Sequence, residues 1–298
     1  MPEIIVHIGY HKTGTTYLQK KIYPNIQNLK YYDYLSENLF PGMSSKSSFD
    51  VDLDRINEKL NSLGHDRILY SQEGLVGPLF YNSGINAKEI ADNLKKLNVS
   101  KIIITLRNQV SLIDSIYRQY IQEGGVARFN HFIKGWRYSF DLDHLNFYRL
   151  INYYSSLFGK ENVLIILSEQ IRENEAEVIR QLENFTNGTY IENNKNLNPR
   201  QSNISLSNLS IILLRFINHF TYSNHRPSCA ILPNNFTTWK IRYALQRLID
   251  PYLFSRISGR KLLINKKTID FLSGHYRANN VKLQKEYDLD IARYGYPL

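Results

Sequence analysis

Residues 3–18, EIIVHIGYHKTGTTYL, join a short run of branched apolar side chains to a loop bracketed by glycines. The apolar run, 3–8, has the make-up of a strand buried on both faces of a parallel sheet, and it ends at Gly9, where a turn must begin. Gly9 and Gly14 stand at the spacing of a phosphate-binding loop, G-x-x-x-x-G-K-[ST], yet Thr15 occupies the lysine position and the lysine comes three places early, at Lys12. Hydroxyls remain at both Thr15 and Thr16. Glycines so placed let backbone N–H groups converge on an anion at a helix N-terminus, where the macrodipole adds partial positive charge.

A helix over about 15–23, stopped by Pro24, is expected next. Leu53, Ile56, Leu60 and Leu63 then fall at helical spacing, with Asp50 or Asp52 as N-cap and Gly64 as the stop, and RILYS at 67–71 reads as a strand. Asn86 with Glu89 makes a capping-box-like start for a helix carrying Ile90, Leu94 and Leu97, which leads into the strand KIIITL at 101–106. Helices over 109–123 and 143–158 precede the strand NVLIIL at 162–167, and Asn174 with Glu177 opens one more helix that fades at Gly188. Strands alternating with helices of this length predict an α/β fold. Its three layers surround a central parallel sheet, as in P-loop proteins, with a helical C-terminal extension. Residues 1–190 are read as the nucleotide-binding core and 191–298 as a helical, basic part of the same domain, serving acceptor binding.

Composition narrows the function classes. With 298 residues, 43% of them hydrophobic, the chain can fill a sizeable core. The single cysteine, Cys229, excludes an internal disulfide framework, and no Cys/His cluster has metal-ligand spacing, so a reducing, cytoplasmic setting and no metal are expected. MPEIIVHIGY carries no signal-peptide pattern, and the greasy stretch IILLRFI is broken by Arg215, which predicts a chain without a transmembrane segment. A net charge of +10 favours anionic partners: a charged nucleotide, an anionic glycan, or a membrane surface met peripherally. Residues 239–298 hold twelve Lys/Arg against five Asp/Glu. The 22 tyrosines are scattered and form no RNA-binding signature, so nucleic acid is not an expected partner. The polar tract 192–203 reads as a mobile loop.

In open α/β sheets the ligand lies beyond the carboxyl ends of the strands. The residues just past those ends are therefore the informative ones: the loop Gly9–Thr16, Gln72 and Glu73, Arg107 and Asn108, and Ser168 and Glu169. Lys12, inside the arch of the loop, suits a short anionic chain ending one group beyond a 5′-phosphate. Charge developing on the oxygen between those groups is what it would neutralise. Arg107 offers a directional fork and Ser115, two turns into the next helix, a hydroxyl for a second anion. Glu73 is a candidate general base, with a salt-bridged or capping carboxylate as the other reading. His7 and His11 flank the loop, His7 within a buried strand and His11 in a position to shape the loop.

These residues resemble a known family. HIGYHKTGTTYL is similar to the 5′-phosphosulfate loop of sulfotransferases that use 3′-phosphoadenosine 5′-phosphosulfate (PAPS), and LRNQVSLIDSIY resembles their 3′-phosphate element through Arg107 and Ser115. The resemblance implies that Gly9, His11, Lys12, Thr13, Gly14, Thr15, Thr16, Arg107 and Ser115 bind PAPS. It further implies that Lys12 stabilises the leaving phosphate without a metal and that Glu73 is the base used by glycan-directed members. Glu169 matches an architectural glutamate of the family, and YRANNVKLQKEYDLDIARYGYP resembles the bacterial-type C-terminus, an asparagine-bearing helix before Gly-Tyr-Pro. The family's glycine-rich basic closing loop has no clear counterpart, and Lys195 and Arg200 are candidates to close over the nucleotide or the acceptor. The reading is a sulfotransferase acting on a hydroxyl acceptor, a glycan or glycolipid precursor in preference to a phenol. A P-loop small-molecule kinase and a non-catalytic anionic-glycan-binding protein stand as alternatives.

Overall fold

The computed structural model describes residues 2–135, 140–192, 206–225, 243–254, 256 and 262–298. Lys195, Arg200, Cys229 and the polar tract beyond Glu192 lie outside the described residues. Five parallel strands form the central sheet: β1 (Glu3–His7), β3 (Lys30–Asp33), β4 (Arg67–Ser71), β5 (Lys101–Leu106) and β6 (Val163–Leu167). Their spatial order is β3-β4-β1-β5-β6, with β1 in the middle and its loop at the point where the chain switches direction across the sheet.

Successive side chains of a strand point to opposite faces, and both faces are buried here. Ile4 and Val6 join the larger apolar cluster with Ile68, Ile102 and Ile104, whereas Ile5, Leu69, Ile103 and Ile166 enter a second cluster. Helices α3 (Ala87–Lys96), α4 (Gln109–Gln122) and α6 (Phe147–Phe158) contribute to the first cluster, together with the C-terminal helix Lys266–Tyr287 through Leu272, Tyr276 and Leu283. The second is closed by Leu18, Ile22 and Tyr23 after the loop and by Val178 and Leu182 of α8 (Glu175–Thr186). Three layers result.

Local departures from the sequence expectations have physical causes. The helix expected over 15–23 is only α1 (Thr15–Tyr17); wide turns over Leu18–Ile22 and a 3-10 turn over Tyr23–Asn25 continue it. Pro24 does not stop that path at Tyr23, because the first N–H groups of a new turn need no intrahelical acceptor. Strand β3, absent from the sequence reading, is an edge strand of sequence KYYD, paired on one side only and without the aliphatic run that marks the inner strands. A second, two-stranded sheet pairs β2 (Ile26–Gln27) with β7 (Thr189–Tyr190). Asn86 does precede α3 but makes no capping bond; its amide donates to Ser44 O instead. The helix expected from residue 143 is a 3-10 turn, Leu142–Leu145, broken at Asn146 before α6. Asp52 rather than Asp50 caps α2 (Leu53–Ser62), accepting from Arg55 N at 2.9 Å.

Candidate active site

The loop after β1 owes its shape to two left-handed residues. Lys12 has φ +66° and Gly14 φ +88°, so backbone handedness changes along the turn, a geometry that gathers successive N–H groups into an anion-binding concavity. Among the described residues, no hydrogen bond uses the backbone N–H groups of His11, Lys12, Thr13, Gly14, Thr15 or Thr16. Unpaired donors in such a run call for an external acceptor. Gly9 is required by space: a Cβ there would overlap Thr105 Oγ1, His7 Nε2 and Thr15 Cγ2. The buried Thr13 anchors the arch, its hydroxyl lying 2.5 Å from Tyr10 O and 2.7 Å from Thr105 Oγ1. Ser168, packed near Gly14, has a buried hydroxyl without a hydrogen-bond partner. The Lys12 side chain is exposed at the apex.

Behind the loop, His7 is fully buried, with Nδ1 2.7 Å from Ser71 Oγ of β4 and Nε2 3.3 Å from Thr105 Oγ1 of β5. Burial lowers its pKa to about 4, far outweighing the pull of Glu73, so its imidazole is neutral and ties three strand ends together. Glu73 opens the 3-10 turn after β4 and reaches the loop with both oxygens: Oε2 lies 2.9 Å from His11 Nδ1, and Oε1 accepts the Thr15 hydroxyl. Burial pushes the Glu73 carboxyl up, but the hydrogen bond and charge of His11 and the Thr15 hydroxyl bring it below its ordinary value.

Arg107, at the end of β5, donates through Nη1 to Lys12 O at 3.1 Å and through Nε to Ser111 Oγ at 3.0 Å. The expected partner Ser115 lies one turn farther on the same helix face as Ser111, and no hydrogen bond joins it to Arg107. Burial is the largest influence holding the Arg107 pKa below its ordinary value, and repulsion from Arg172 of α7 (Ser168–Glu173) is the next. Neither arginine has an ion pair among the described residues. Glu169 and Asp114 partly offset that repulsion, and two guanidiniums without ion pairs among the described residues can together hold an anion. Asn108 caps α4, accepting from Val110 N at 3.0 Å, and its amide donates to Gly295 O at 2.6 Å. Glu169 accepts from Asn108 N at 3.0 Å and from Tyr296 OH at 3.2 Å. Asn280 exchanges bonds with Gln109 and donates to Pro297 O at 2.9 Å. The Gly-Tyr-Pro end is thus fastened beside Arg107, with Glu169 as part of the frame.

A cluster that the sequence reading did not find faces the loop from the end of α4. His225 Nε2 lies 3.3 Å from Glu123 Oε2, its Nδ1 lies 2.6 Å from Tyr81 OH, and its ring stacks on Tyr81 at 5.4 Å. Burial raises the Glu123 pKa, but His225, Gln119 and the charge of Lys12 bring it below its ordinary value, so Glu123 sits within electrostatic range of the loop lysine. Nothing local in the sequence joins residues 81, 123 and 225. Arg172 and Ser111 had a fainter signal, a position within two turns of a strand's carboxyl end. No metal-holding group of His, Cys, Asp or Glu occurs among the described residues.

No family model matches the chain, and no curated protein matches it. Solved structures do resemble it. A sulfotransferase from Alicyclobacillus acidocaldarius is 16% identical at a TM-score of 0.46, over 67% of this chain and 87% of that one. Mouse sulfotransferase SULT7A1 complexed with PAP is 15% identical at a TM-score of 0.44, over 96% of this chain and 89% of that one. Retinol dehydratase in a complex with retinol and PAP is 12% identical at a TM-score of 0.30, over 63% of this chain and 61% of that one. At these identities, function rests on the residues of this chain.

Proposed function

We propose that this protein is a PAPS-dependent sulfotransferase acting on a hydroxyl acceptor. The observation that carries the reading is the loop itself, six unpartnered N–H groups from His11 to Thr16 with the lysine at their apex instead of after Gly14. The loop suits a 5′-phosphosulfate, and the Arg107–Arg172 pair supplies a place for the 3′-phosphate. In this reading the acceptor oxygen attacks sulfur while its proton passes to Glu73, directly or through His11. The bond from sulfur to the bridging oxygen breaks, and its electron pair goes to the departing 5′-phosphate. Lys12 stabilises that charge, and adenosine 3′,5′-bisphosphate leaves. No metal is required of the residues present. The kinase reading lacks the lysine at residue 15, where Thr15 instead donates to Glu73.

A carbohydrate acceptor is favoured by the half-exposed Tyr81 ring beside His225 and Glu123, a face on which a sugar ring can stack with polar groups at its edge. The acceptor-binding role of residues 191–298 is supported by His225, and a cytoplasmic setting by the lone Cys229. Incubation with sulfur-labelled PAPS and a panel of glycans, lipid-linked sugars and phenols tests the reading. Label transferred to a glycan or lipid-linked sugar supports it, transfer to phenols alone overturns the acceptor class, and no transfer to any acceptor overturns the reaction.

A further inference from the structure

Helix α9 (Asn208–Ile217) buries one face and leaves another bare. Ile211 and Leu214 belong to the core, whereas Ile212 and Phe216 are 56% and 63% exposed, and Phe220, just past the helix end, is 39% exposed. Four-residue spacing places Ile212 and Phe216 on one stripe, and Phe220 extends it past the helix end, its ring centroid 5.3 Å from that of Phe216. Beside the stripe opens a cavity of about 200 Å³ with apolar walls from Tyr117, Phe129 and Ile211; Arg128 and Arg215 also line it. Neither guanidinium has an ion pair or donates a hydrogen bond among the described residues. Leu262, next to the cavity-lining Leu263, is 46% exposed.

We infer that this face docks on an anionic lipid bilayer. Ile212, Phe216 and Phe220 enter the boundary between headgroups and acyl chains, and Arg128 and Arg215 take a lipid phosphate at the cavity mouth. Charge selects this occupant. Two copies of the chain meeting through the stripe would bring together four arginines without ion pairs among the described residues, on molecules that each carry a net charge of +10. An anionic bilayer offers acyl chains for the stripe and phosphates for the forks. A helix lying flat needs no membrane-spanning length, and among the described residues no helix is long and apolar enough to cross a membrane. The face also leads to the candidate site. Asn218, one residue past α9, donates to Ile121 O and Gly125 O at 2.7 and 2.8 Å, and Ser223 donates to Gly124 O at 3.1 Å. The chain then delivers His225 to Glu123.

The inference stands apart from the sulfuryl-transfer reading, and so does its test. The full chain is floated with vesicles of phosphatidylcholine alone and of phosphatidylcholine mixed with phosphatidylglycerol, at low and high salt. Association with the anionic vesicles only, weakened by salt, is expected. The double variants Ile212→Glu/Phe216→Glu and Arg128→Glu/Arg215→Glu should each lower that association about tenfold or more at an unchanged melting temperature. Binding to both lipid mixtures alike, or to neither, overturns the inference whatever the variants do. A wild-type dimer that the Ile212→Glu/Phe216→Glu variant converts to a monomer assigns the stripe to self-association and overturns it as well.

Discussion

His11 Nδ1 lies 2.9 Å from Glu73 Oε2, and the second oxygen of the same carboxylate accepts the hydroxyl of Thr15, so one side chain from the end of β4 holds two residues of the loop. A carboxylate placed in this way shapes the loop and, in the proposed reaction, takes the acceptor's proton. Glu73→Gln separates the two roles, because the amide keeps an acceptor oxygen for Thr15 and loses the basicity. Turnover should fall about 100-fold or more, the usual scale for a general base, while affinity for adenosine 3′,5′-bisphosphate stays within about twofold. Loss of nucleotide affinity in place of turnover would make Glu73 a loop clamp only. Since Glu73 is held below its ordinary value of 4.5 in the free protein, the acid limb of kcat/KM should also lie below that value. An acid limb nearer neutrality would assign the proton transfer to another group.

Lys12 is exposed at a left-handed apex and shares in no packing that folding requires. Lys12→Ala should therefore leave the melting temperature of the protein nearly unchanged and lower turnover about 100-fold, the scale of losing one electrostatic stabiliser of a transition state. Steady-state kinetics at saturating PAPS checks this, and full activity would remove Lys12 from the mechanism.

Arg107 and Arg172 lie within range of mutual repulsion, which an anion held by both would relieve. A charge-assisted contact to phosphate contributes roughly 1.5 to 3 kcal/mol, so Arg107→Ala should weaken adenosine 3′,5′-bisphosphate by about one to two decades. Adenosine 5′-monophosphate should hardly notice. Titration calorimetry with both nucleotides distinguishes the cases, and equal losses would show that Arg107 does not read a 3′-phosphate. Arg172→Ala should lose affinity in the same selective way.

Legibility in the sequence differs from one part of the molecule to another. The inner strands were legible because burial on both faces demands unbroken aliphatic runs, as in KIIITL and VLIIL. The edge strand KYYD was not, since half of its surface meets solvent. The position of the loop after β1 was legible, because Gly9 and Gly14 answer to what a tight turn there demands of the backbone. The grip of Glu73 on His11 and Thr15, and the meeting of Tyr81, Glu123 and His225, were not legible. They join residues whose separations in the chain carry no periodic signal, and only the crossover connections of the sheet bring them together.

His7 gives the stability of the protein a pH dependence with a definite sign. Folded, it stays neutral down to about 4; unfolded, an imidazole takes up its proton near 6.5. Its contribution is therefore complete above 6.5 and drains away as the pH falls from there toward 4, at up to about 1.4 kcal/mol per pH unit. Urea unfolding across this range should show the slope, and His7→Asn should flatten it. A variant with an unchanged slope would place the acid sensitivity elsewhere, His144 being the next buried imidazole.

The most direct test of the central claim is the nucleotide preference of the wild-type protein. Melting temperatures measured with adenosine 3′,5′-bisphosphate without magnesium, and with ATP plus magnesium, compare the two chemistries that the loop can serve. The bisphosphate should raise the melting temperature by several degrees at concentrations well above its Kd, and ATP with magnesium should raise it far less. The reverse order, stabilisation by ATP with magnesium and none by the bisphosphate, would contradict the sulfotransferase account and return the loop to the kinases.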